Sequence, residues 1–181
     1  MALSLVGSYG AKADTLNKQT KVGSFYLEAS PIWARYEHGK DISQYVDVTY
    51  GALIKAGYTI NPTLSAELRL LGTELKSDPL GGEKVRHIGL YLKKSIALTP
   101  NIHANALLGY GWNKTFTNGN KNLTTIDRFD FSAGLGLEYD LASYDKNTFE
   151  HWSLFIDYQR LLIRTNTPDI DVIGVGVSFR F

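Results

Sequence analysis

From Phe25 to the carboxy terminus, apolar and polar residues change places at nearly every step. A two-residue period is the signature of β-strands, whose successive side chains point to opposite faces of a sheet. Over residues 48–60 one face carries Val48, Tyr50, Ala52, Ile54, Ala56, Tyr58 and Ile60, and the other Thr49, Gly51, Leu53, Lys55, Gly57 and Thr59. Asn61-Pro62 then predicts a tight turn, because proline cannot continue a ladder. Beyond it Leu64, Ala66, Leu68 and Leu70 alternate with Ser65, Glu67, Arg69 and Leu71. This is a hairpin with one apolar and one polar face.

The same pattern returns over residues 87–93, 102–113, 128–139, 152–159 and 173–181, with turn residues at Thr99-Pro100-Asn101 and a short connection near Ala142-Ser143. With a first strand over residues 25–33, the prediction is eight strands. Connections alternate in kind: 61–62, 99–101 and 142–147 are short or moderately short, whereas 37–47, 76–84, 114–125 and 163–169 are mostly longer and more polar. A hairpin therefore recurs about every 40 residues, the period of a propeller blade, but a blade needs four strands and only two are present.

Composition narrows the class. The 181 residues contain no apolar run of a length that makes a membrane helix, and the formal charge of +1, from 19 basic and 18 acidic residues, excludes a polyanion binder acting by bulk charge. Cysteine is absent, which removes thiol catalysis and zinc-thiolate sites. A mean hydropathy of −0.16 decides nothing, because a transmembrane barrel alternates apolar with polar and averages out.

An even number of up-and-down strands closes naturally into a barrel. A soluble ligand-binding barrel would turn the apolar face inward, an outer-membrane barrel outward, and alternation alone leaves both open. Three features favour the second. Glycines 51, 57, 89, 109, 111, 134, 136, 174 and 176 all fall on the polar face, where a narrow lumen needs room. The charges expected inside balance, with Glu28, Glu67, Asp130, Glu138 and Asp157 against Lys55, Arg69, Lys93, Arg128 and Arg180, as a paired interior network requires. Large aromatics on the apolar face, Tyr50, Tyr58, Tyr110, Trp112, Tyr139, Trp152, Tyr158 and Phe179, lie toward strand ends, as a girdle at two membrane interfaces would.

The chain resembles the small outer-membrane β-barrel proteins of Gram-negative bacteria, the OmpA-like, OmpX-like and opacity-type group. The last strand carries the resemblance: Ile173-Gly174-Val175-Gly176-Val177-Ser178-Phe179-Arg180-Phe181 is similar to that group's carboxy-terminal assembly signal, with Val175, Val177, Phe179 and Phe181 as its apolar positions. The resemblance implies an eight-stranded antiparallel transmembrane barrel with short periplasmic turns and mostly longer extracellular loops, read by the barrel-assembly machinery during biogenesis. Residues 22–181 are expected to form this one domain. Residues 1–21 are expected to be a lead-in, in which Ala11-Lys12-Ala13 reads either as the end of an export signal, leaving Asp14 as the mature start, or as part of a first strand or tail.

Candidate chemistry is sparse. His87 and His103 are both expected to point inward on neighbouring strands, without the acidic or thiol cluster that would complete a metal site, and His38 falls in a loop. His151 and Ser153 are expected to share the inward face, a His-x-Ser pairing similar to that of barrels that deacylate lipid A, but at the periplasmic end and without an acidic partner. Lys76, Lys84, Lys114 and Lys121 could meet lipopolysaccharide phosphates. Asn113-Lys114-Thr115 and Asn122-Leu123-Thr124 read as turn-forming polar segments. The expectation is a monomeric, non-enzymatic envelope or surface-interaction protein of the outer membrane. It would bind no cofactor and no nucleic acid, and would have lipid, lipopolysaccharide and an extracellular ligand as partners. Narrow small-solute channel, lipid A-modifying enzyme and soluble lipocalin-like barrel are the alternatives.

Overall fold

A computed structural model describes residues 22–38, 45–76, 84–116, 125–143, 151–163 and 168–181. Eight strands follow in chain order: β1 (Phe25–His38), β2 (Tyr45–Asn61), β3 (Leu64–Lys76), β4 (Lys84–Ala97), β5 (Ile102–Phe116), β6 (Asp127–Asp140), β7 (Trp152–Arg160) and β8 (Asp169–Arg180). Every strand runs antiparallel to its chain neighbours, and β1 pairs with β8 from Tyr26↔Arg180 to Glu37↔Asp169, so the sheet closes into a barrel. Closure leaves no edge for another chain to extend. The two ends differ. The turn end holds Asn61-Pro62, the 98–101 turn and the Leu141–Ser143 3-10 turn, together with Phe181; the loop end holds the longer connections.

Within the middle of each strand, faces fall as alternation requires: Leu27, Ile54, Leu68, Leu90, Leu108, Leu135, Ile156 and Val175 are exposed, while their neighbours are buried. The exposed stripe is the apolar one, so the barrel is turned inside out relative to a soluble protein.

The strands are longer than alternation delimits. β1 continues past Trp33 to His38, and β8 begins at Asp169 rather than at Ile173. Segments expected to be loop are therefore partly wall. The reason is physical: above Trp33 the two faces exchange polarity. Ile32, Ala34 and Tyr36 of β1, with Ile170 and Val172 of β8, face the lumen and are buried, whereas Arg35, Glu37, Asp169 and Asp171 face out. A strand whose inside is apolar and whose outside is charged is a strand standing in water. The wall leaves the bilayer at this level, and the apolar-out pattern that revealed the strands ends with it.

One irregularity lies at the same height. Tyr50 pairs with Leu75 and Gly51 with Thr73, so Glu74 is an extra residue, a bulge in β3. The bulged chain passes so close that a Cβ on Gly51 would lie 2.0 Å from the Gly72 carbonyl oxygen, which excludes any other residue there.

Candidate functional site

The lumen is the place where charged side chains converge, and it is built in layers. In the turn-end half, Lys55 bridges Glu28 and Asp157, donating to Asp157 Oδ2 at 2.6 Å. Arg69 holds Glu67 in a fork, its Nε and Nη2 donating to Oε2 at 2.8 and 2.6 Å, and Nη2 reaches Asp157 Oδ2 at 3.3 Å. Lys93 lies among Glu67, Glu28 and Glu138 at 2.9, 3.2 and 3.6 Å, and Arg180 reaches Glu138 at 3.6 Å. Glu28, Glu67, Glu138 and Asp157 are thus joined to Lys55, Arg69, Lys93 and Arg180 in one network of zero net charge. Such a network satisfies the rule that buried charge must be paired and hydrogen-bonded.

Arg128 and Asp130 stand apart from it. They form their own 3.3 Å pair higher on β6, with the Arg128 side chain 39% exposed and that of Asp130 fully buried.

The lumen glycines take their meaning from three interior rings. A Cβ on Gly57 would fall 2.0 Å from the Tyr26 ring, one on Gly109 2.2 Å from the Tyr91 ring, and one on Gly176 2.8 Å from Phe155. Each ring passes close to a bare stretch of backbone and has a cation over its face, although the Gly176 position is closed first by the Ala29 carbonyl at 2.1 Å. Lys93 sits 4.5 Å over Tyr26, Arg69 5.0 Å over Tyr91 and Lys55 3.6 Å over Phe155. The result is three repeats of glycine, ring and cation stacked across the lumen, with a cation–π contribution in each.

Above the ion network runs a one-way hydrogen-bond chain. Arg69 Nη1 donates to Gln159 Oε1 at 2.9 Å, Gln159 Nε2 donates to the Tyr91 hydroxyl, and Tyr91 donates to His87 Nε2 at 2.7 Å. His87 Nδ1 then donates to Asn113 Oδ1 at 2.8 Å, and Asn113 Nδ2 donates to the Gly111 carbonyl at 3.1 Å. The chain is complete with a histidine that carries its proton on Nδ1 and accepts at Nε2. Toward the loop end Leu53, Leu71, Val85, Ile126, Leu161, Leu162 and Ile170 pack into a buried apolar cluster with Ile32, Tyr36 and Val172, beside the buried hydroxyls of Thr49, Thr73 and Thr115. At the opposite, turn end a small cavity of about 20 Å³ is lined by Tyr26, His103, Glu138, Asp140 and Arg180, room for about one water molecule.

The β6–β7 seam of the wall is interrupted. β7 ends at Arg160, opposite Ala133, while β6 continues upward to Asp127. Between them Leu161 turns inward, its amide donating to Ile170 O at 2.9 Å and its carbonyl accepting from Ser132 Oγ at 2.7 Å. On the β6 side Asp130 Oδ1 accepts the Phe131 amide at 2.8 Å, taking the place of a strand neighbour.

Outward aromatics gather at two heights. Phe25–Tyr58 and Trp152–Phe179 pair at 4.9 Å toward the turn end, with Tyr139 and Phe181 in the same belt. Trp33–Tyr50 and the group of Tyr110, Phe129, Phe131 and Trp112 stand toward the loop end, with Tyr158 donating to Asp171 at 2.7 Å. Eight residues separate Phe25 from Trp33, which at about 3.3 Å per residue and a tilt of about 40° is a height of about 20 Å. Phe25, Trp33, Phe129, Phe131 and Phe181 belong to these belts although sequence reasoning did not single them out for them; the signal was there, because each sits on the apolar parity of its strand.

One expectation is corrected. His151 and Ser153 do not share a face: His151 is an exposed turn residue whose ring packs edge-on against Phe179, whereas Ser153 is buried and donates to Asp140 at 3.2 Å. β7 begins only at Trp152, so the two-residue spacing does not carry over to His151. His87 and His103 share the lumen but not a level, since β4–β5 register sets His87 against Asn113 and His103 against Ala97. Among the described residues no group of three or more His, Asp or Glu is arranged to hold a metal. Residues 1–21, the His38 and Lys76 side chains, Lys121 and the segment 122–124 lie outside what is described.

A family model for the outer membrane protein beta-barrel domain matches residues 1–181. No curated protein gives a significant match. Among solved structures, Ail, the attachment invasion locus protein of Yersinia pestis, is 14% identical, with a TM-score of 0.57 over 89% of this chain and 100% of its own. OprG of Pseudomonas aeruginosa is 14% identical with a TM-score of 0.57, covering 91% and 98%. Neisserial surface protein A is 18% identical with a TM-score of 0.54, covering 86% and 95%.

Proposed function

Since the chain belongs to the outer membrane protein beta-barrel family and resides in the bacterial outer membrane, we propose that it is a non-enzymatic envelope protein whose loop end engages partners outside the cell. The observation that carries this reading is the exchange of polarity above Trp33. Five residues of β1 beyond that point, at about 3.3 Å per residue and a tilt of about 40°, raise the wall about 13 Å into water. This collar has an apolar core of its own and an outer surface of ion pairs: Arg160–Asp171 at 2.8 Å, Lys114–Asp127 at 2.8 Å and Arg35–Glu37 at 2.8 Å. A barrel serving only as membrane filler has no need of such a pedestal, and a rigid base that presents loops is what recognition by loops requires. The loop end then faces outward and the short turns the periplasm.

The interior supports the non-channel side of the reading. Two different obstructions stand along the lumen, the neutral charge network and the apolar cluster, and both argue against a continuous polar path. Ser153, the one nucleophile considered, is bonded to Asp140 and has no histidine beside it, which argues against acyl transfer. Lipopolysaccharide in the surrounding leaflet and the assembly machinery acting on Val175, Val177, Phe179 and Phe181 are the partners that biogenesis and residence imply.

The test uses the full chain in proteoliposomes beside a version whose four loop-end connections are shortened to tight turns. Binding to host-cell surfaces, extracellular matrix and lipopolysaccharide should depend on the loops, with no conductance steps in planar bilayers and no acyl release from lipid A. Loop-independent binding, reproducible conductance or acyl release abolished by Ser153→Ala would each overturn the reading.

A further inference from the structure

We propose that the lipid-facing wall across β1–β4 carries a specific site for one glycerophospholipid near the turn end, its acyl chain in a groove floored by Ala56, Gly57 and Ala66 and its phosphate at Lys94. The groove has a volume of about 310 Å³ and is bounded by Phe25, Tyr58 and Phe181 on one side and Leu68 and Leu90 on the other. Its cause is local. Ladder pairs Ala56↔Leu68 and Tyr58↔Ala66 set two alanines diagonally on the outer face, bounded by the larger side chains of Phe25, Tyr58, Leu68 and Leu90. A dent of this kind within hydrocarbon is filled only by an acyl chain, because nothing polar enters there and an empty space forfeits its contacts.

What makes the dent a site rather than roughness is the cation beside it. Register continues from Leu68↔Leu90 through Ala66↔Leu92 to Leu64↔Lys94, so Lys94 lies on the same outward face, four residues beyond Leu90 along β4 and diagonal to Ala66 across the β3–β4 ladder. Two residues along and one strand across from Ala66 is about 8 Å between backbones, within the reach of a lysine side chain, so a phosphate at Lys94 and the first carbons of its chain in the groove can be held together. Lys94 is exposed, and its Nζ donates to Thr63 Oγ1 at 2.8 Å. Thr63 is in turn fixed by Asn61, whose Oδ1 accepts its amide at 3.0 Å and its hydroxyl at 3.2 Å. Among the described residues no carboxylate lies within ion-pair distance of Lys94, unlike the charges of the collar. An oriented ammonium with two donors to spare, at the rim of an apolar groove, is matched by an anionic headgroup with its tail pointing into the membrane. The orientation proposed above decides only which leaflet supplies the lipid; the site itself does not rest on that reading.

The full chain, folded in symmetric vesicles of equal phosphatidylethanolamine and phosphatidylglycerol and released into mild detergent, should retain one phospholipid in native mass spectrometry. Ala66→Phe, which fills the groove, should lower retention about tenfold, and Lys94→Gln should remove the preference for phosphatidylglycerol. Ala133→Phe on the opposite wall should change neither. Retention equal in all four proteins, no lipid beyond what detergent exchange leaves, or a retained dimer abolished by Ala66→Phe in place of retained lipid would overturn the proposal. The heat-dependent gel shift of a folded barrel shows that each variant is closed, so an unfolded variant is not mistaken for an empty site.

Discussion

Inside the lumen each residue is held by partners that leave it little freedom to change alone. Lys55 neutralises Glu28 and Asp157 and also caps Phe155, with its side chain only 1% exposed. Lys55→Met should therefore leave the buried Glu28 and Asp157 with one cation each, Lys93 and Arg69, and cost about 3 kcal/mol, measured by urea unfolding in lipid vesicles. Arg128, by contrast, keeps 39% of its side chain in water, so Arg128→Met should cost no more than about 1 kcal/mol in the same experiment, although Asp130 beneath it is buried. The comparison separates network members from rim pairs, two groups that charge counting places together. Gly57 gives a second contrast. A methyl added there meets the Tyr26 ring at 2.0 Å, so Gly57→Ala should destabilise by about 1–3 kcal/mol. In a Tyr26→Ala background the same substitution should cost far less, and additive effects in the double-mutant cycle would show that the ring is not what the glycine serves.

At the scale of strands, the β6–β7 seam is where the wall differs most from an ideal barrel. Below Ala133↔Arg160 the ladder is continuous, and above it the Phe131 amide depends on the side chain of Asp130. Asp130→Ala should speed hydrogen exchange at Phe131 about tenfold or more while leaving Leu135 unchanged, and Asp130→Asn, which keeps an acceptor oxygen, should restore most of the protection. Uniform exchange along β6 would mean that β7 pairs with it beyond Arg160. This seam also marks the limit of what the sequence discloses. Eight strands, their order, their mid-membrane faces and the inward parity of all ten interior charges follow from a period of two. Alternation shows itself only while the two faces differ in one fixed sense. In the collar that sense is reversed, so residues 34–38 and 169–172 fall outside the strands that alternation delimits although they are wall. Leu161 and Leu162, consecutive and both buried, break the period altogether because they leave the wall for the lumen. Likewise the sequence shows which charges face inward but not their pairings, since Lys55 and Asp157 meet across the lumen rather than along a ladder. The hydrogen-bond chain through His87 is hidden for the same reason.

For the molecule as a whole, the decisive contrast is between its two halves. One half is inside out, with a charged interior and an apolar exterior, and belongs to the bilayer; the other is built like a soluble barrel and belongs to water. Trp33, Tyr50 and Trp112 stand where they meet. The +1 formal charge is correspondingly uninformative about partners, because eight of the interior charges cancel in one network and most described collar charges cancel in surface pairs. The two halves also block the lumen by different means, and that makes their obstruction testable in parts. Shortening the apolar cluster with Leu53→Ala, Leu71→Ala and Leu161→Ala leaves the network of Lys55, Arg69 and their carboxylates in place, so planar-bilayer conductance should stay at baseline. Removing an ion pair without changing net charge, Glu28→Ser with Lys55→Ser, leaves the apolar cluster in place and should also stay closed. Only the two sets combined should give resolvable steps, because barriers in series each suffice to exclude ions. Steps in either partial variant would show that one layer alone seals the barrel, and steps in the unaltered protein would return the small-solute channel to first place.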